Sequence, residues 1–142
     1  MSRLIMAKGL PGSGKTTWAK AEVLKSDGDL KRVSKDDLRA MLDAGSFSKA
    51  NETFVVEVRN RLVYQVLERG YSVIVDDTNL NPVHERNLVG IARSVGSVFM
   101  VMDFTDIALE TCIARDLQRA GTAGYVGRGA IESMHRKYLD RS

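Results

Sequence analysis

The chain has one cysteine, Cys112, among its 142 residues, so no internal disulfide can form. That fits a reducing compartment, and a cytoplasmic location is expected. With no reactive motif beside it, the thiol reads as a small buried apolar residue. Histidine is nearly as scarce. His84 and His135 lie far apart on helical segments without metal-ligand spacing, which leaves them surface or packing roles. Aromatic residues make up 6% of the chain, too few for the row of base-stacking platforms seen in single-strand binders. Tyr125 is a candidate platform, and Trp18 reads as helix packing. No apolar run approaches the ~20 residues that span a bilayer, and Leu4-Ile5-Met6-Ala7 is too short for a secretory signal, so no membrane is expected. The charge excess is small: 21 Lys and Arg against 18 Asp and Glu, or +3. Such a balance permits a polyanionic partner without requiring one. An N-K-x-D sequence is missing, which argues against a guanine-specific switch. There are no repeats, low-complexity segments or linkers, and the length fits one domain over residues 1–142.

What the chain does have is Gly9-Leu10-Pro11-Gly12-Ser13-Gly14-Lys15-Thr16, which satisfies G-x-x-x-x-G-K-[ST]. An apolar run, Arg3 to Ala7, precedes it, and a helical pattern from Thr17 follows. Strand, glycine turn and helix together make a phosphate cradle. Backbone N–H groups must converge on one concavity, and side chains would block the approach. The helix N-terminus favours an anion. Lys15 would set a positive charge against the outer phosphates, and the Thr16 hydroxyl would face Mg²⁺.

Further along, Lys31 to Ser34 reads as a second strand and Lys35 to Leu42 as the start of a helix with acids in its first turn. From Asn51 to Arg69, Phe54, Val55, Val58, Leu62, Val66 and Leu67 recur at helical spacing. Tyr71 to Val75 and Ser97 to Met102 read as buried strands, and Val83 to Arg93 as a helix. Ile107 to Arg119 is a helix with Leu109, Cys112, Ile113 and Leu117 on one side. Ala120 to Gly129 holds four glycines, and Ala130 to Leu139 closes the chain as a helix. Strands alternating with helices, with apolar residues on both strand faces, predict a parallel sheet covered on both sides. Ligands of such sheets sit at the carboxyl ends of the strands. Polar residues cluster there: Gly9 to Thr16 after the first strand, Lys35, Asp36, Asp37 and Arg39 after the second, Asp76 to Asn79 after the third, Asp103 and Thr105 after the fourth.

On that rim Asp36 or Asp37 could accept the proton of an attacking hydroxyl. Either could instead cap the helix it opens. Asp76-Asp77 stands where an acid that orients Mg²⁺-bound water is expected, and it could equally contact an acceptor or Arg39. Arg115 and Arg119 lie one helical turn apart, leading into the glycine-rich stretch. That placement suits a lid over about residues 115–129 that clamps phosphates, or else a solvated basic face.

Three segments, the phosphate loop through Ala19, Lys35-Asp36-Asp37-Leu38-Arg39 and Asp77-Thr78-Asn79-Leu80-Asn81-Pro82, resemble the kinase domain of bacteriophage T4-type polynucleotide 5′-hydroxyl kinases. The resemblance extends over nearly the whole chain. It implies an α/β P-loop kinase fold: a four-stranded parallel sheet, helices on both faces and a helical lid. The implied reaction moves the γ-phosphate of ATP or another nucleoside triphosphate, with Mg²⁺, to the 5′-OH end of DNA or RNA, as in nucleic acid repair. For a phage gene the compartment would be the host cytoplasm. The resemblance makes Asp36 the general base and sets Arg39 beside it at the acceptor end. Gly12, Ser13, Gly14, Lys15, Thr16 and Thr17 match the nucleotide site, with Thr16 at the metal. Arg119 matches the lid arginine and Arg115 a second donor-site arginine. Asp77 and Thr78 match a segment beside the acceptor, and Val126 an apolar residue against its terminal base. Two departures stand out. No D-x-D-G-T phosphatase signature occurs, so no phosphatase domain is expected, and Gly127 stands where the family has a proline.

Two other readings of the same loop stay open. One is a small-molecule P-loop kinase of the gluconate, shikimate or antibiotic-phosphorylating type. The other is a nucleotide-binding module without catalysis. The sequence is compatible with monomer and oligomer alike.

Overall fold

A computed structural model describes residues 2–140. Among these residues four strands form, three of them apolar runs: β1 (Arg3–Lys8), β2 (Leu30–Val33), which carries Lys31 and Arg32, β3 (Ser72–Asp76) and β4 (Val98–Asp103). They pair in parallel in the order β2-β3-β1-β4, with Ile5 opposite Ile74 and Met100, and Arg32 opposite Ile74. Six helices connect and follow them: α1 (Lys15–Lys25), α2 (Lys35–Asp43), α3 (Lys49–Glu68), α4 (Pro82–Ser94), α5 (Leu109–Leu117) and α6 (Arg128–Tyr138). This is the P-loop kinase fold, with the expected four parallel strands.

Alternation along the strands sends side chains to two cores. Leu4, Met6, Val73 and Val75 meet Val55, Val63, Leu67, Leu88 and Ala92 from α3 and α4. Ile5 and Ile74 meet Ala19 of α1 and Leu30. Leu4, Met6 and Ile74 have no exposed surface, and burying each contributes about 1.5–3 kcal/mol. A third cluster of Leu10, Leu80, Cys112, Ile113 and Ile131 seats α5 and α6 against the loop after β1. Cys112 is buried there, as its composition suggests.

The structure corrects three expectations. β4 is an edge strand paired with β1 alone, and Val98, Met100, Val101 and Met102 are 38–44% exposed, so the sheet is not covered on both faces at that edge. The buried stripe of α3 is Val55, Arg59, Val63 and Leu67, whereas Phe54 and Leu62 lie outward. A charged residue occupies the centre of that stripe. In α5 the buried side ends at Asp116, and Leu117 is 62% exposed, because the Asp116 carboxylate is tied to the segment that follows.

Candidate active site

β1 ends at Lys8, and the chain turns through two glycines that no other residue could replace. Gly12 has φ +82°, and a Cβ there would lie 2.4 Å from the Cys112 carbonyl oxygen. Gly14 has φ +103° and forms the N-cap of α1. Both values are in the region that L side chains avoid. The loop is fastened to the neighbouring strand end, where Gly9 N–H donates to Thr78 O at 3.0 Å. Asn79 donates from its side-chain nitrogen to the carbonyls of Ala7 at 2.7 Å and Val75 at 3.3 Å, stitching β1 to β3 where the polar rim begins.

The Lys15 ammonium turns back into this loop. It donates to Gly9 O at 2.8 Å, Leu10 O at 2.7 Å and Ser13 Oγ at 3.3 Å. Burial pulls it from the ordinary 10.5 down to about 8, opposed chiefly by the Asp76 carboxylate. Ser13 is itself buried and points inward. Thr16 Oγ1 donates to Asp76 Oδ2 at 2.8 Å, and the same oxygen accepts from Arg32 Nε at 2.8 Å.

On the β2 side, Ser34 caps α2 by accepting from Asp37 N at 3.4 Å. Capping therefore does not occupy either aspartate. Asp37 pairs with Arg32 at 2.6 Å, away from the cleft, whereas Asp36 is 89% exposed and accepts from Arg39 Nη1 at 2.5 Å. Arg39 is held from behind, where Nε and Nη2 donate to Glu52 at 2.8 and 2.6 Å. That bidentate pair raises the guanidinium pKa and lowers that of the Glu52 carboxyl.

Asp77, just past the end of β3, holds the start of α2. Its carboxylate is nearly buried, with Oδ1 accepting from Lys35 N–H at 2.8 Å and Oδ2 facing Arg59 Nη1 at 3.4 Å. Burial pushes its pKa up, opposed by Lys35 and Arg59. Asp77 is therefore an anchor for the start of α2. Behind it Arg59 is wholly buried; its Nε and Nη2 donate to Asn60 Oδ1, and Nη2 also reaches His84 Nδ1. Burial, with Lys35 and Arg59 nearby, drives His84 down to about 4, so at neutral pH Nδ1 can accept that bond. His84 is a packing residue, one of the two roles expected.

Across the cleft, Arg115 Nη1 donates to Gly12 O at 3.3 Å. Asp116 is buried and accepts the successive backbone N–H groups of Val126 and Gly127 at 2.9 and 2.8 Å, and Arg119 Nη2 at 3.5 Å. One carboxylate thus holds the segment after α5 and steers Arg119. Gly127 has φ +100°, which a proline ring fixed near −65° cannot adopt, so a proline would not fit this backbone.

These parts enclose one cleft of about 730 Å³. Its walls include Gly12, Gly14, Lys15, Thr16, Thr17, Asp36, Arg39, Asp77, Thr78, Arg115, Arg119 and Val126, so every expected site residue except Ser13 lines it. Asp36 comes from the strand end two places from the phosphate loop, and the two arginines come from the opposite flank. Tyr125 is half exposed and does not line the cleft. A shallow groove of about 880 Å³ between α3 and α4, with Arg61, Tyr64, Arg69 and Arg86 on its walls, includes none of the phosphate-loop residues. Sequence reasoning did not single out Arg32, Ser34, Glu52, Arg59 or Asp116. Among these, Asp116 carried a signal, an acid between two arginines on a helix entering a glycine-rich segment.

Comparison with known proteins agrees with this architecture. The model of the AAA domain family AAA_33 matches residues 4–140. The L-seryl-tRNA(Sec) kinase of Methanococcus maripaludis is 27% identical over 138 residues, which cover 95% of this chain and 52% of that protein. The chain thus spans about half the length of this curated relative. A chain in the structure of the Pnkp1/Rnl/Hen1 RNA repair complex superposes with a TM-score of 0.76 at 24% identity, covering 96% of this chain and 44% of that one. The Mycobacterium tuberculosis APS kinase CysC, solved with AMPPNP and APS, gives a TM-score of 0.67 at 22% identity over 83% of this chain and 70% of that one. The chain belongs to the AAA domain family AAA_33 and has its P-loop kinase architecture.

Proposed function

We propose that this P-loop domain transfers the γ-phosphate of a nucleoside triphosphate to the 5′-hydroxyl end of DNA or RNA. The observation that carries this reading is the position of Asp36: exposed, bonded to Arg39, and on the opposite flank of one cleft from Arg115 and Arg119. The phosphate loop follows β1, two strands from β2, and strands lie about 4.8 Å apart. The ends of β1 and β2 are therefore roughly 10 Å apart, and the phosphate loop and the helix carrying Asp36 leave from those ends on one rim of the sheet. Asp36 takes the hydroxyl proton as the oxygen attacks phosphorus. Arg39, fixed by Glu52, orients the carboxylate and the acceptor end. Lys15 and Arg119 offset charge on the transferring group, and the nucleoside diphosphate leaves.

The residues present suit Mg²⁺, which keeps most of its waters and needs few protein ligands. The Thr16 hydroxyl would hold it directly and Asp76 through water, since these groups already touch. Such an ion would supply positive charge to offset that of the phosphates, held there by Thr16 and Asp76.

The relatives' names support an acceptor hydroxyl attached to a nucleic acid or a nucleotide, through a seryl-tRNA kinase, an RNA repair complex and an APS kinase. The last favours a second reading, a small nucleotide as acceptor. Labelled ATP offered with a 5′-OH oligonucleotide and with mononucleotides decides between them. Transfer to the oligonucleotide is expected, and transfer to mononucleotides alone would replace the first reading with the second.

Lys15→Ala and Arg119→Ala should each lower kcat by on the order of 10²-fold, because each removes a positive charge from the transition state. Unchanged kcat in either variant would remove that residue's role. The buried lysine also sets a pH dependence. Phosphates favour its charged form, so its pKa rises on nucleotide binding. Below pH 8 the free protein already carries the proton. Above pH 8 binding must take one up, and the ATP dissociation constant should weaken by up to about tenfold per pH unit. Calorimetry at pH 7.5, 8.5 and 9.5 in buffers of different ionisation enthalpy measures both effects. A dissociation constant flat over that range would contradict the assignment.

A further inference from the structure

The acceptor flank carries an aromatic ring that the reaction described so far does not use. Phe47 is 69% exposed, the most exposed of the four phenylalanines, whereas Phe104 packs on Trp18 and Phe99 on the core. Leaving so large an apolar surface in water is costly, and core packing does not account for it. The loop that carries it is held in place. Gly45 N–H donates to Arg39 O at 3.0 Å and Ser46 N–H to Asp43 O at 2.9 Å, while Ser48 caps α3 by accepting from Asn51 N at 3.0 Å. The loop is thus pinned on both sides of Phe47. The Arg39 guanidinium carbon lies over the ring, 6.0 Å from its centroid. Arg39 also binds Asp36, so a planar ring, an arginine and the proposed base form one connected group.

We propose that Phe47, backed by Arg39, is a stacking platform for the terminal nucleobase of the acceptor strand. The inference rests on the reading of the acceptor as a polynucleotide. A flat apolar face beside a guanidinium is what an unstacked base at a single-stranded end prefers, since every base has a π-face. The layout of the sheet assigns the platform to the acceptor rather than the donor. Phe47 hangs from the segment after β2, on the Asp36 side, whereas the donor's phosphate loop and lid arginines come from β1 and α5. The platform is indifferent to base identity, so the enzyme would accept any 5′-terminal base.

The test compares wild type, Phe47→Ala, Phe47→Leu and Phe47→Trp on two acceptors, an ordinary 5′-OH oligonucleotide and one whose first sugar lacks its base. Phe47→Ala should raise KM for the ordinary oligonucleotide about tenfold, with kcat and the KM for ATP changed less than about threefold. Phe47→Trp should keep wild-type KM, and Phe47→Leu should behave like alanine. On the abasic acceptor wild type and Phe47→Ala should be alike. A 5′-terminal 2-aminopurine should lose fluorescence on binding wild type and keep it on binding Phe47→Ala. Equal KM for wild type and Phe47→Ala on the ordinary acceptor, or the same penalty on both acceptors, would overturn the platform and leave the reaction intact. No transfer by wild type to any oligonucleotide would remove the reaction and the platform together.

Discussion

Asp36→Asn should slow phosphoryl transfer about 10³-fold while leaving ATP affinity and the thermal midpoint at wild-type values. General base catalysis contributes about 10²–10⁴-fold, and an amide of the same shape cannot take the proton. The structure isolates this effect unusually well. Asp36 does not cap its helix, because Ser34 does. Its side chain is 89% exposed, so no core packing is lost. Its bond from Arg39 survives, since the amide oxygen of asparagine still accepts. Single-turnover transfer from labelled ATP gives the rate, calorimetry the affinity and a melt the midpoint. A variant with wild-type turnover would mean that some other group takes the proton. The matching change at the neighbouring acid, Asp37→Asn, loosens only the exposed end of a bridge to Arg32 and should leave the rate within about threefold.

Arg59→Leu should lower stability by about 3–5 kcal/mol, the cost of removing one partner of a buried charged pair. For a domain of this size that corresponds to a fall in Tm of roughly 10–15 °C. The guanidinium is wholly buried between Val55 and Val63, and desolvation already lowers its pKa, so the fold pays to keep it there. Without it Asp77 keeps the Lys35 N–H and the nearby Lys35 charge but loses the guanidinium that faces its other oxygen. The double variant Arg59→Leu/Asp77→Asn should recover more than half of the loss, because the carboxylate that the guanidinium offset is then neutral. Denaturant unfolding of the three proteins checks this, and a single variant as stable as wild type would show that the pair is not coupled. Activity should fall in Arg59→Leu even where the protein is folded, through the slackened start of α2.

The parts of this site that could be read from the sequence are those whose physics is local. A cradle of N–H groups needs glycines at fixed spacing, so the phosphate loop is legible in eight residues. A strand in a parallel sheet is a short apolar run, and all four were visible, as was the polar rim after them. What could not be read depends on partners distant in the chain. Ser34 is as good a cap as the two aspartates after it, and only the backbone angles decide. Glu52 and Arg59 look like the solvated face of a long helix. One meets Arg39 and the other Asp77, 18 residues on. The bareness of β4 was hidden for a similar reason, because Val-Phe-Met-Val-Met reads the same at an edge as at the centre of a sheet.

The close approach of Gly12 to Cys112 has a mechanical consequence. With no space between loop and helix for even a methyl group, α5 cannot tilt toward the loop without pushing on the turn that cradles the phosphates. The ten residues from Gln118 to Gly127 link that helix to α6 and are clipped at their far end by a single acid.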